Sequence, residues 1–427
     1  MDVLVSLEHR FARTPDGAVW TQGINAYDFW TRYLTAFDRV KVLARIYDVP
    51  RPAPDWHRAD GPGVAFVTVP NYLGPWQYLA QALPVRRALR IAVGAQNAVI
   101  MRVGSHIAGC LQPWVVRDQR PYGLEVVNDP YDVFAPGSVR CALRPILRWW
   151  FTRQLRWQCH GACGVAYVTE TTLQRRYPCA GYSAGMSDVE ISEDALVGEP
   201  NVFTTLYSCV ELAEEDAVCI GRQPGGPRQR FRLITIASLA QMYKAPDILI
   251  RAVGRSVEAG LDLTLEMVGD GKHRPELEKL VESLGLKERV RFAGQVPAGP
   301  AVRARLDAAD LFVLPSRCEG LPRAMVEAMA RALPCIGSTV GGIPELLPAS
   351  DLVPPGDVLA LAGKIQEVLR SSQRMAEMSA RNLTKAQDYR DDVLDRRRRA
   401  FFEHIRQTTA EWLERPLKVE VLCETEH

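Results

Sequence analysis

Two carboxylates and a lysine are the residues of this chain whose types and spacing suggest chemistry. Glu319 and Glu327 stand eight residues apart, in a stretch where short apolar runs alternate with loops that open onto helices. Leu311 to Leu314 is continuous apolar chain, as a parallel strand covered on both faces requires. Pro322 suits the first position of a helix reaching about Ala332, Pro334 to Ser338 reads as the next strand, and Gly341-Gly342 with Pro344 opens a second helix. Two helix N-termini thus fall on one sheet edge. Their unpaired N–H groups and partial positive charge make a seat for a diphosphate, and Gly320, Gly341 and Gly342 let the backbone approach that anion. A carboxylate that accepts hydrogen bonds from vicinal hydroxyls holds a ribose or a hexose. Lys244, just ahead of another helix start at Pro246, adds a cation on the same edge. The expected ligand is a nucleoside diphosphate carrying a sugar.

The elements that must position these residues fall into two halves. At 427 residues the chain is too long for one ordinary core. Val3–Leu7, Val40–Ile46, Val64–Val69, Ala98–Val103, Leu124–Val127 and Val165–Val168 read as buried strands, with helical spacing in Tyr27–Phe37 and Trp76–Leu89 between them. Strands alternating with helices predict a parallel, doubly wound α/β sheet, which binds ligands beyond the carboxyl ends of its strands. Those ends carry Glu8 and His9, Asn71 and Tyr72, Ser105 and His106, Asn128 and Asp129, Thr169 and Glu170. Gly221 to Arg228, rich in proline and glycine, reads as the hinge to a second half that begins with a strand at Phe231. The domains expected are residues 1–222 and 228–387.

From about Phe231 to Leu347 the segments ITIASLAQMYKAPDILIRAV, LEMVGDG and VRFAGQV precede the Glu319/Glu327 stretch. In that order, and with an E-x7-E motif, they resemble the retaining family 4 glycosyltransferases of the GT-B fold. The resemblance implies two Rossmann-like domains facing across a cleft, with the last helix, about 388–427, returning to complete the first. It implies sugar transfer with retention from a nucleotide-diphosphate sugar on the second domain to an acceptor on the first, with no metal and no cofactor beyond that co-substrate. Glu327 would bond the donor ribose, Glu319 would face the hexose and Lys244 would bind phosphate. Gly320, Leu321, Gly341, Gly342 and Ile343 would surround the diphosphate and sugar, while Gly269 and Val296 would border the base. Ser238 stands where relatives often have an arginine, so Arg317 and Arg323 are the substitute cations expected. Relatives carry a histidine after the strand at Leu124–Val127; this chain has Asn128-Asp129. Asp129 is then the first catalytic candidate of that half, followed by His106 and His9. Asp16 and Gly17, in the loop with Gly23, stand where relatives place a mobile loop, and with His9, Asn71 and Asn128 they make up the acceptor side. The acceptor is a glycan, a lipid-linked sugar or a small molecule, as in cell-surface polysaccharide or secondary-metabolite synthesis. The competing readings are a nucleotide-sugar epimerase on the same fold and a binding protein that has lost catalysis.

Composition narrows the partners. A formal net charge of +2 gives no reason to expect nucleic acid. The ten cysteines form no C-x-x-C pair, and Cys159, His160 and Cys163 read as helix packing residues, not metal ligands. MDVLVSLEHRF reads as a first strand and not a secretory signal, and no apolar run approaches a membrane span. A cytoplasmic protein is expected. Arg140, Arg144 and Arg148 recur at four-residue spacing beside Leu143, Leu147, Trp150 and Trp157. The helix around Arg144–Trp157 therefore carries two readings: domain packing with a solvated basic edge, or peripheral contact with the inner face of a membrane. Arg396 to Arg399 read as a solvated face.

Overall fold

The computed structural model describes residues 1–22, 25–93, 97–136, 142–201 and 230–415; the expected hinge at Gly221–Arg228, Gly23 and Arg140 lie outside them. The first half contains β1 (Val3–Arg13), β2 (Val19–Thr21), β3 (Val40–Asp48), β4 (His57–Arg58), β5 (Val64–Pro70), β6 (Ala98–Val103), β7 (Gly123–Val126), β8 (Gly164–Tyr167) and β9 (Tyr182–Gly185). Its helices are α1 (Tyr27–Thr31), α2 (Gly74–Ala92), α3 (His106–Arg117), α4 (Pro130–Val133), α5 (Arg144–Gly161) and α6 (Thr172–Arg176). The parallel strands lie in the order β5-β3-β1-β6-β7-β8-β9, with Leu4 opposite Lys41 on one side and Val99 on the other. Strand order reverses between β1 and β6.

Apolar alternation fixes the register. Leu4, Leu43 and Val99 face one core with α2, α3 and α5, while Val3, Val5 and Val42 face the other with α1. A one-residue slip would exchange the two sets. β1 is longer than its first apolar run predicts: a bulge between Ser6 and Arg10 carries it on to Arg13, where it pairs antiparallel with β2. Glu8 and His9 therefore lie within that strand, and Asp16 and Gly17 form a hairpin turn.

The second half contains β10 (Phe231–Ile236), β11 (Leu263–Val268), β12 (Val290–Gly294), β13 (Leu311–Leu314), β14 (Cys335–Ser338) and β15 (Leu352–Val353). They form a parallel sheet in the order β12-β11-β10-β13-β14-β15, the doubly wound order, with its switch point between β10 and β13. Its helices are α7 (Pro246–Glu258), α8 (Arg274–Ser283), α9 (Pro300–Ala308), α10 (Arg323–Ala330), α11 (Ile343–Leu346), α12 (Val358–Leu369), α13 (Ser372–Ala386) and α14 (Asp391–Leu413). Pro322 caps α10 from outside it, and α11 is a single turn.

The last helix, α14, packs on the first sheet through Phe401, Phe402 and Ile405. Gly123 and Gly164 leave it room: a Cβ at either would lie 2.9 or 3.0 Å from Ile405 Cδ1. The arginine run on this helix is a solvated face only at Arg396 and Arg399, which are exposed. Arg398 is 2% exposed between Glu190 and Asp395, and Arg397 pairs with Glu170. Glu190 and Glu170 lie far off in sequence, which is why spacing alone misses them. No helix among the described residues is long and apolar enough to cross a membrane.

Candidate active site

A cleft of about 1120 Å³ opens between the halves. The first half contributes Asn128, Asp129 and Val133, and the second contributes the segment from Gln241 to Lys244 and that from Arg317 to Gly320. Lys244 follows β10 and Glu319 follows β13, so the pair flanks the switch point, where strand order makes the crevice.

Local structure holds this pair firmly. Lys244 Nζ donates to Glu319 Oε1 and Oε2 at 2.6 and 2.7 Å, and Ser316 Oγ donates to Oε1 at 2.6 Å. The Glu319 side chain is 4% exposed and that of Lys244 is 19% exposed. Arg317, expected as a phosphate cation, instead grips Asp247 at 3.0 and 2.8 Å and donates to the Met242 carbonyl at 2.8 Å. Its charge is spent tying the β13–α10 loop to the β10–α7 loop. Between Lys244 and Pro246, Ala245 adopts the left-handed conformation with φ 53°, an uncommon backbone state for a residue with a Cβ.

Gly341 packs one donor loop onto the other. Its φ is +54°, and a Cβ there would lie 2.1 Å from the Glu319 carbonyl oxygen. The diphosphate seat drawn from the sequence is altered at this point. The Gly341 amide lies near enough to the Asp132 carboxylate to lower its pKa, and Gly342 N–H donates to Gly320 O at 2.6 Å. An acid from the first half thus stands close to one of the amides expected to meet phosphate. Burial raises the pKa of Asp132, outweighing Arg148 and that amide. Beyond α11's first residues, Glu345 accepts from the backbone N–H groups of Glu170, Thr171 and Thr172 at 2.5, 3.0 and 2.5 Å. Burial alone would raise its pKa; the bonds from Thr172, Glu170 and Thr171 outweigh burial and hold it below the usual carboxylate range.

Other donor-side expectations scatter. Glu327 sits in the second turn of α10 and does not line the cleft with Glu319. Its carboxylate takes no hydrogen bond from a described residue, and burial raises its pKa despite Arg323 and Arg303 nearby. Arg323 reaches the Asp188 carbonyl at 3.1 Å, away from the cleft. Ser238 lies exposed in a turn, accepting from Ala240 N–H at 3.3 Å. Val296 lines a separate cavity beside β10, β11 and α9. Ile343 is buried in the core and Leu321 packs against it, so both serve the fold through apolar contact. Gly269 is held by a close approach: a Cβ would lie 2.0 Å from the Ala237 carbonyl. The Gly-Asp-Gly turn that follows places Lys272 and His273 in the cleft wall. Sequence reasoning overlooked Lys272, although a lysine directly after that turn was the available signal.

The first-half candidates also divide. Asp129 is a structural residue, contrary to the sequence expectation: it caps α4 through Tyr131 N–H at 2.9 Å, accepts from Tyr177 Oη at 2.5 Å and pairs with Arg176. With both oxygens engaged and 2% exposure, its carboxylate is committed to the fold. Asp129→Ala should cost about 3 kcal/mol of stability, read as a lower urea midpoint, because it strands the Tyr177 hydroxyl, uncaps α4 and leaves Arg176 with Asp132 alone. His106 lies off the cleft lining, 3.4 Å from Tyr72 Oη and 3.8 Å from Cys110 Sγ. His9 bonds Thr21 Oγ1 at 2.8 Å, and Asn71 accepts from Arg10 Nε at 2.9 Å. Asp16 accepts from Thr14 Oγ1 at 2.5 Å within its hairpin, where Gly17 takes φ +84°. Asn128 alone of the acceptor-side residues lines the cleft, and its Oδ1 is buried without a partner.

Two doubly wound sheets facing across a cleft, with a cation–carboxylate pair at the switch point of the second, define a GT-B protein. Residues 230–371, within the second half, match the family described as Glycosyl transferases group 1. The chain is similar to Protein CapJ of Staphylococcus aureus, 25% identical over 85% of this chain and 86% of that one. It is also similar to the N-acetyl-alpha-D-glucosaminyl L-malate synthase of Bacillus anthracis, 32% identical over 45% of this chain and about half, 51%, of the relative. Among solved structures, the sucrose-phosphate synthase of Thermosynechococcus elongatus superposes with a TM-score of 0.63 at 17% identity, covering 96% of this chain and 100% of that one. HepE of Anabaena, in complex with UDP-glucose, gives a TM-score of 0.56 at 16% identity, covering 97% and 99%. At these identities the two structures show the shared fold.

Proposed function

We propose that this protein transfers a sugar, with retention and without a metal, from a nucleotide-diphosphate sugar held on the second half to a glycan, lipid-linked or small-molecule acceptor held on the first. The observation that carries the reading is the Lys244–Glu319 pair at the floor of a cleft whose opposite wall includes Asn128. Lys244, with Lys272 beside it, meets the charge that develops on the departing diphosphate. Asn128, in the place where relatives carry histidine, has its Oδ1 turned in toward Gly104, so it is the other side of its amide that meets the sugar or acceptor. Glu327, half-buried beyond the cleft lining and unpaired among the described residues, accepts from the ribose hydroxyls where the donor extends past that lining. Domains at 1–222 and 228–387, the first completed by the final helix, are part of the same reading, as is peripheral contact with a membrane. The likeness to CapJ supports a place in polysaccharide synthesis.

A screen of nucleotide-diphosphate sugars by thermal stabilisation, run in EDTA, tests this directly. At least one should raise the melting temperature of the wild type, and the same sugar should appear on an acceptor by mass spectrometry. Glu327→Gln should weaken that donor about tenfold, the worth of one charge-assisted hydrogen bond. Because burial raises the Glu327 pKa, donor affinity should fall as pH drops through a range just above ordinary carboxylate values and should lose that dependence in the variant. No stabilisation by any donor, or stabilisation without transfer, would remove the activity or reduce the protein to a binder.

A further inference from the structure

The outer layer of the first half is unlike the rest of the surface. α2, α3 and α5 lie side by side on one face of the sheet, joined in a single core through Val85, Leu89, Leu111 and Leu155. Together these helices contain eight arginines and no aspartate or glutamate. Their outward faces are also apolar. On α2, Trp76 is 82% exposed and Leu83 79%, with Leu79 between them at helical spacing and Arg86, Arg87 and Arg90 following. On α5, Ile146, Trp149, Trp150 and Trp157 project outward with Arg153 and Arg156 among them. This exposed face is not the Arg144–Arg148 edge picked out by spacing, since Arg148 is engaged with the Tyr131 carbonyl and ring.

A groove of about 1010 Å³ runs beside α5, and Arg144, Arg148, Arg153, Arg156, Arg175 and Arg176 line it with no carboxylate. Its aromatic wall includes Tyr131 of α4, while Val133 of the same short helix lines the cleft between the halves. Groove and cleft are therefore neighbours across one helical turn.

We propose that the α2–α3–α5 layer docks on an anionic lipid bilayer, its tryptophans and leucines entering the interface and the groove beside α5 seating phosphate-bearing head groups. Charge selects this occupant. A protein partner would have to supply acids across three helices, whereas a membrane rich in acidic phospholipid presents a continuous sheet of phosphate. Interfacial tryptophan with arginine is the composition that binds there, each arginine near the surface adding to affinity.

The inference does not depend on sugar transfer, so its failure and that of the enzymatic reading are separable. The full chain is mixed with vesicles of phosphatidylcholine alone or with added phosphatidylglycerol, and sedimentation and tryptophan emission are read. Binding should be at least about tenfold tighter to the anionic vesicles and should weaken with salt. Trp149→Ala with Trp150→Ala, and separately Leu79→Gln with Leu83→Gln, should each lower it about tenfold at unchanged melting temperature, because these side chains are exposed. Arg153→Glu with Arg156→Glu should abolish the preference for anionic lipid. Equal or absent binding to both vesicles overturns the proposal. So does a concentration-dependent dimer abolished by the same variants, which would assign this face to a second copy of the chain.

Discussion

Glu319→Gln should lower kcat by about two to three orders of magnitude while leaving nucleoside diphosphate affinity at or above that of the wild type. The split follows from the bonds that the side chain makes. The substituted amide would keep the shape and could still accept from Ser316 Oγ, which lies 2.6 Å from Glu319 Oε1. It would lose the negative charge beside the anomeric carbon, where positive charge builds as the diphosphate leaves. Lys244, now held by both Glu319 oxygens, would be released toward phosphate, so ground-state binding should not suffer. Steady-state kinetics paired with calorimetry of the nucleoside diphosphate separate the two effects. A variant with wild-type kcat, or one whose whole loss lies in affinity, would take Glu319 away from the transferring sugar.

Lys244→Ala should do the reverse, weakening nucleoside diphosphate by about 1.5–3 kcal/mol, roughly 10- to 150-fold in Kd. It should also destabilise the protein, because Glu319 would remain buried with no cation beside it. The double variant Lys244→Ala with Glu319→Gln should recover stability without recovering affinity, since it removes the stranded charge but not the need for a cation. Calorimetry and urea unfolding on the three variants read both quantities. Unchanged affinity in Lys244→Ala would place the diphosphate elsewhere.

The parts of the fold legible in the sequence are those where apolar runs are uninterrupted. Leu311–Leu314 and the strand ending at Ser338 lie where the pattern puts them, and with them the position of Glu319. β1 beyond Leu7 was not legible, because the bulge between Ser6 and Arg10 breaks the period of two. β9, reading Tyr-Ser-Ala-Gly at the sheet edge, carries no apolar signal at all. At the site, residue type identified Lys244 and Glu319 but not what each charge would meet. Arg317 finds Asp247, and Asp129 finds Arg176 and Tyr177, across intervals that spacing cannot reveal. Glycines read as openings for an anion are in part contacts between loops, as the approach of Gly341 to Glu319 shows.

The turn at Gly341–Gly342 meets the first half from both sides, with Asp132 near its amide and Glu345 just beyond it. A phosphate that needs that amide would have to share it with Asp132, which stands on the half that would carry the acceptor. On the proposed reading, boarding and disembarking of the nucleotide would then be coupled to a breathing of the two halves. Turnover would then keep a mechanical clock as well as a chemical one.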